Sequence, residues 1–296
     1  MKTSNVVKSE PPSSAKHQTL PKINLFTMFR LGMFQMGLGI LAVLTLGVLN
    51  RVMIDELGIP ASITGSLLAI SLFVAPARVW FGQLSDTKPV FGYHRTGYVW
   101  MGSGLFMIIL SLAVQITWQL GNVVQGAGGW TWSIPAYSWV ALGALVFSLY
   151  GLALSMSSTT FFTLLVDISD EDNRGKLIGI IWSMMTVGIA IGGISSKILL
   201  KGLDNIDTSL EVLRSSITGL FLFVPLMVFG LAVLATFGIE KKYSRYSSRS
   251  ILANREDQIT LGQSLKLLTA SPQTGLFFTF RSEEHTSELQ SLAYLV

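Results

Sequence analysis

Residues 63–118 read ITGSLLAISLFVAPARVWFGQLSDTKPVFGYHRTGYVWMGSGLFMIILSLAVQITW. Two apolar stretches, Ile63 to Phe81 and Tyr98 to Trp118, flank a short polar turn that holds Asp86, Lys88, His94 and Arg95. Each stretch is close to the ~20 residues that a helix rising ~1.5 Å per residue needs to cross ~30 Å of hydrocarbon. Neither alternates with period two, and an open strand would leave backbone N–H and C=O groups unpaired in lipid. The pair is therefore predicted as two membrane helices joined by a tight loop.

Working outward, the same reading applies to Leu31 to Leu49, Tyr137 to Val166, Leu177 to Ile194 and Ile217 to Ile239. The predicted fold is an all-α membrane protein, a six-transmembrane-helix bundle over residues 23–239. Composition agrees: 13% of the 296 residues are charged, 50% are hydrophobic and the mean hydropathy is +0.55, whereas a soluble domain carries roughly 25% charge. The net charge of +4 does not point to nucleic acid, because Lys and Arg sit between apolar runs and form no stripe interleaved with aromatics. The partner so implied is the lipid bilayer. With no cysteine, disulfides, thiolate chemistry and Cys-based metal sites are excluded.

Counting Lys and Arg in alternate connections gives sixteen on one side and four on the other, which places the N-terminus in the cytoplasm. Residues 1–22 are polar, contain Pro11, Pro12 and Pro21 and lack the apolar core of a signal peptide; they read as a disordered cytoplasmic tail. Residues 240–270 form a basic cytoplasmic middle loop, and 271–280 begin a seventh apolar run that breaks off. Residues 281–296 open with RSEEHTSELQS, which resembles the translation of a sequencing-library adapter and is taken as a non-native tail. On that reading the second half is missing, and the bundle should present a one-sided groove rather than a closed central pocket.

Small residues inside the runs favour close helix packing, above all Gly188, Gly192 and Gly193 in the fifth. Between Thr96 and Val166 there is no Asp, Glu, Lys, Arg or His, and Trp118, Trp130, Trp132, Tyr137 and Trp139 crowd the ends of the intervening connection. These aromatics read either as an interfacial belt or as an apolar mouth for a planar ligand.

The loop from Gly82 to Arg95 combines Gly82, Ser85, Asp86, Gly92, His94 and Arg95. Gly82 would permit tight helix contact, Asp86 can accept from a helix N-terminus or pair with a cation, Gly92 allows the reversal, and His94 and Arg95 can anchor the loop to phosphates. The pattern resembles the major facilitator signature in the same loop, with extra residues between Asp86 and Gly92 and with His94 where a second basic residue is usual. FRLGMFQMGLGILAVLTLGVLNRVMIDELGIPASITG and FVAPARVWFGQLSDTKPVFGYHRTGYVW narrow this further: they resemble the PucC-like, or bacteriochlorophyll delivery, branch of that superfamily, especially its cyanobacterial members. The resemblance implies a twelve-helix protein of thylakoid or plasma membrane that assists assembly of light-harvesting or photosystem complexes. It also implies (bacterio)chlorophyll as transient cargo, with chlorophyll-binding proteins and pigment-synthesis enzymes as partners.

Several polar residues are candidates for a cavity or gate: Arg30, Gln35, Asn50, Arg51, Arg78 and Gln115. Arg78 needs a partner or must snorkel, because a buried arginine costs about 2.5–3.5 kcal/mol on insertion scales; Asp86 or the acidic group Asp167, Asp170, Glu171 and Asp172 would serve. Asn50, Arg51, Asp55 and Glu56 form either an outer gate or a solvated rim. The histidines, His17, His94 and His285, all lie outside the apolar runs, so a stable histidine-ligated pigment is disfavoured. Gln35, Gln115 or a bound water could hold a pigment loosely, and no tightly bound cofactor is expected. There is no phosphate loop, no zinc motif and no nucleophile elbow, which argues against an enzyme. The alternatives to pigment delivery are a secondary transporter of a small solute and a membrane interaction protein without a transport cycle.

Overall fold

A computed structural model describes residues 23–74, 77–204 and 210–244. The expected 1–22 tail, nearly all of the 240–270 loop, the seventh run and the 281–296 tail lie outside the described residues. Within them the chain is helical, with no strand beyond an isolated bridge between Val90 and Tyr93. Six helices are long and apolar enough to cross a membrane: Leu25–Glu56, Ala61–Thr87, Thr96–Gly126, Ile134–Ile168, Glu171–Ile198 and Arg214–Tyr243. They are called here the first to sixth spans.

The helices outrun the apolar cores read from sequence. The third continues through Gln119 to Gly126, and the fourth starts at Ile134 under a Ser133 cap with Pro135 in its first turn. The connection between them shrinks to Ala127–Ser133, because Leu120 and Val124 are buried in the core and an already formed helix adds each further turn at little cost. The first span is regular from Leu25 to Val43, then widens to π-type turns over Leu44–Leu49 and Val52–Glu56. Helix continues past Thr236 as a short turn, Ile239–Tyr243, after Gly238 interrupts it with a left-handed φ of +73°.

The first span packs against the fifth and sixth, the third against the fourth and sixth, and the second against the fourth. Apolar attraction cannot select these contacts where lipid is equally apolar, so close backbone approach decides them. A Cβ on Gly39 would collide with the Met185 carbonyl, one on Gly188 with the Met36 carbonyl, and one on Gly192 would lie 3.1 Å from the Ile40 Cα. The first and fifth spans thus meet along a glycine seam. A Cβ on Gly102 would lie only 2.7 Å from the Ser157 backbone nitrogen, and one on Gly151 would collide with the Ser71 carbonyl, so these glycines let the third and second spans close on the fourth.

Two predicted packing positions depart from expectation. A Cβ on Gly193 or on Gly82 would meet nothing within 4 Å. Gly193 sits one residue round the helix from the seam, so 100° of rotation turns it away from the first span. Gly82 lies near the end of a span that leaves most of its surface uncovered. The second and fifth spans bury least, exposing Leu72, Phe73 and Trp80 on one and Trp182, Val187, Ile191 and Ile194 on the other. An open groove runs along one face of the second span beside Gly65, Ser66, Ala69 and Phe73.

Candidate functional site

The residues that sequence singled out in the loop converge with Asp167, expected there only as one of four acids that could serve Arg78, and with Glu240, which sequence did not single out. Arg95, 4% exposed, sits where the third span begins, and its guanidinium is divided among three acceptors. Nε donates to Asp167 Oδ2 at 2.9 Å, Nη1 donates to Ser85 Oγ, and Nη2 donates to Asp86 Oδ1. Asp167, at the end of the fourth span, is equally buried, whereas the Asp86 side chain is about half exposed. Burial opposes the charge on Arg95, but the hydrogen bond and charge of Asp167, reinforced by Asp86, outweigh it and hold the guanidinium above its ordinary pKa. Arg95 is therefore committed to carboxylates, and the expectation that it anchors the loop to phosphates is corrected.

A second anion closes the same end from the sixth span. The Glu240 carboxylate accepts from three successive backbone N–H groups, those of His94 (2.7 Å), Arg95 (3.1 Å to the nearer oxygen) and Thr96 (2.7 Å). These are the unsatisfied donors at the start of a helix, where the macrodipole also favours negative charge. The third span has no side-chain cap of its own and no acid in its first turn. Glu240 supplies both across 144 residues of sequence.

The loop is shaped to deliver Arg95 to this position. Val90 and Tyr93 exchange backbone hydrogen bonds at 2.9 and 3.0 Å across a turn in which Phe91 (φ +52°) and Gly92 (φ +77°) are both left-handed. Gly92 serves the reversal, as its place in the loop predicts. Gly97, not singled out in the sequence, is needed because a Cβ there would strike the Val90 carbonyl. His94 brings Nδ1 to 3.3 Å from the Ser85 carbonyl, and the Tyr98 hydroxyl donates to the Lys88 carbonyl at 3.0 Å, tying the end of the second span to the start of the third.

The other candidates disperse. Arg30 donates to the Leu234 and Phe237 carbonyls at 2.8 and 2.5 Å, capping the end of the long helix of the sixth span. Gln35 is buried between the first and fifth spans with Nε2 3.3 Å from Met185 Sδ, and its Oε1 has no partner among the described residues. Gln115 is exposed on the third span, so the two glutamines do not form one site. Asn50 is half-buried, and Arg51 pairs with Asp55 at 3.7 Å on the opposite, more solvated end. Arg78 is exposed two turns before Asp86, and the cation that bridges Asp86 and Asp167 is Arg95. Trp118, expected at the aromatic rim, is buried with the Arg214 guanidinium 5.9 Å from its ring. Trp132 and Tyr137 do form an exposed stack, with centroids 4.9 Å apart. No group of three or more His, Asp or Glu among the described residues is placed to hold a metal ion.

Fold and site together define a multi-pass membrane protein whose bundle is closed at one end by a buried charge clasp. The chain belongs to the PUCC protein family, whose model matches residues 48–284. It is similar to Protein PucC of Rhodovulum sulfidophilum, 31% identical over 189 residues that make up 62% of this chain and 39% of that one. It is also similar to the bacteriochlorophyll synthase 44.5 kDa chain of Rhodobacter capsulatus, 30% identical over 164 residues (55% of this chain, 35% of that one). A more distant likeness, 26% over 153 residues covering 50% of this chain and 26% of the relative, is to a folate-biopterin transporter of Synechocystis. The chain thus spans well under half the length of these curated relatives. No solved structure matches it.

Proposed function

We propose that this chain is the clasped six-helix part of a larger membrane protein, on a major facilitator scaffold, that assists assembly of light-harvesting or photosystem complexes by handing over (bacterio)chlorophyll. The observation that carries this reading is where the ionisable groups lie. Arg95, Asp167 and Glu240 are gathered at one end, and the third and fourth spans hold no charged residue from Thr96 to Val166. An ion-coupled carrier of a polar solute needs titratable or polar groups at membrane depth; an apolar cargo needs a dry, apolar path. Relatives named for PucC and for bacteriochlorophyll synthase supply the pigment context. The excess of Lys and Arg at the clasp end supports a cytoplasmic location for it and for the N-terminus. The role is accessory rather than catalytic.

The transporter-like relative favours a second reading, import of a small polar solute. Purifying the full-length protein and extracting pigment separates the two. Bound (bacterio)chlorophyll with co-purifying light-harvesting proteins is the expected result. A pigment-free preparation that accumulates a small solute in liposomes would overturn it.

A further inference from the structure

The outer edge of the clasp end carries a feature that the clasp does not use. Tyr93, Trp100 and Phe237 stand in a row, with centroids 5.7 Å apart for the first pair and 6.3 Å for the second, where the rings are nearly parallel at 11°. Trp100 Nε1 donates to Thr236 Oγ1 at 2.8 Å, which fixes the indole and satisfies its only donor. Phe237 is 62% exposed, and Phe26 and Phe29, in the turn before the Arg30 that holds the Phe237 carbonyl, are exposed as well. One ammonium group lies over this row, Lys241 Nζ at 5.0 Å from the Tyr93 ring centroid, and the next residue places Lys242 Nζ 5.1 Å from the ring centroid of buried Tyr243.

Neither lysine forms an ion pair with a carboxylate among the described residues. The acid next in sequence, Glu240, turns inward to the backbone of residues 94–96. Asp86 and Asp167 are engaged by Arg95, and the carbonyls of Leu234 and Phe237 are covered by Arg30. The local negative charge is thus drawn away from the edge, and what faces outward is cationic above and aromatic below.

We propose that this edge binds an anionic lipid, its phosphate received by Lys241 and Lys242 and its glycerol and upper acyl chain lying on Trp100 and Phe237. The sequence of chemistry, charge and then ring along the direction from water to hydrocarbon, matches a lipid at the interface. A free anion would leave the exposed rings without a role. Because Lys241 follows Glu240 directly, a bound headgroup steadies the same helical turn that closes the clasp.

The test uses the full chain in detergent, with bound lipid counted by native mass spectrometry in equimolar phosphatidylglycerol and phosphatidylcholine, and inorganic phosphate alone as a separate arm. Wild type should retain phosphatidylglycerol preferentially and melt at a higher temperature with it, while phosphate alone should not shift melting. Lys241→Gln/Lys242→Gln should reduce the preference roughly tenfold or more. Lys241→Arg/Lys242→Arg and the distant Lys197→Gln should keep it. If the double Gln variant does not fold, Lys241→Gln alone is judged by the same preference. Equal retention of both lipids by wild type, an undiminished preference in the Gln variants, or equal stabilisation by phosphate alone would each overturn the proposal.

Discussion

At the clasp end Arg95 and Asp167 are each about 4% exposed and meet at 2.9 Å, whereas at the opposite end Arg51 and Asp55 meet at 3.7 Å with side chains 35% and 60% exposed. The same two residue types make both pairs, yet their energetics differ in kind. A solvated i,i+4 pair gains little, because water screens the charges and two long side chains lose freedom. A buried pair is costly to assemble but costlier to break, since removing one partner strands the other away from water. One end is therefore held in a single arrangement, while the other can yield. The wide π-type turns of the first span lie toward the yielding end.

Substitutions can break or sharpen this contrast. The largest effect is expected from Arg95→Leu, which leaves Asp167 buried without its cation. Thermal or denaturant unfolding should show a loss of about 3–5 kcal/mol, with poor folded yield. Glu240→Gln keeps the shape but weakens the cap on three backbone donors, and about 1–3 kcal/mol should be lost. Asp86→Ala, half exposed and sharing Arg95 with Asp167, should cost below about 1 kcal/mol. At the far end Arg51→Ala should fall within about 0.5 kcal/mol of wild type. A ranking in which Arg51→Ala equals Arg95→Leu would erase the distinction between the ends.

The spans were legible because ~20-residue apolar runs have few other uses, and the polar turn from Asp86 to Arg95 stood out between two of them. The loop members Ser85, Asp86, Gly92 and Arg95 could be singled out because they lie within eleven positions of one another. Glu240 could not. It looked like the first residue of a solvated loop, and its contact with Thr96 depends on how the third and sixth spans dock. A faint signal was present all the same: the third span starts with no Ser, Asp or Asn cap and no acid in its first turn, so its N–H groups require an acceptor from elsewhere. Asp167 was visible only as one of four acids that could serve Arg78; burial singles it out for Arg95. Within the seam Gly188 and Gly192 share a face by their i,i+4 spacing, while Gly193 could be assigned to no face without the position of the first span.

The central structural claim, that a buried Arg95–Asp167 pair holds the clasp end, is tested most directly by a double-mutant cycle on the full chain. Arg95→Leu, Asp167→Leu and the double variant would be compared by unfolding in the same detergent. Each single variant should be strongly destabilised, and the double variant should recover much of that loss, because an apolar pair strands no charge. A double variant whose destabilisation equals the sum of the two singles would contradict the account.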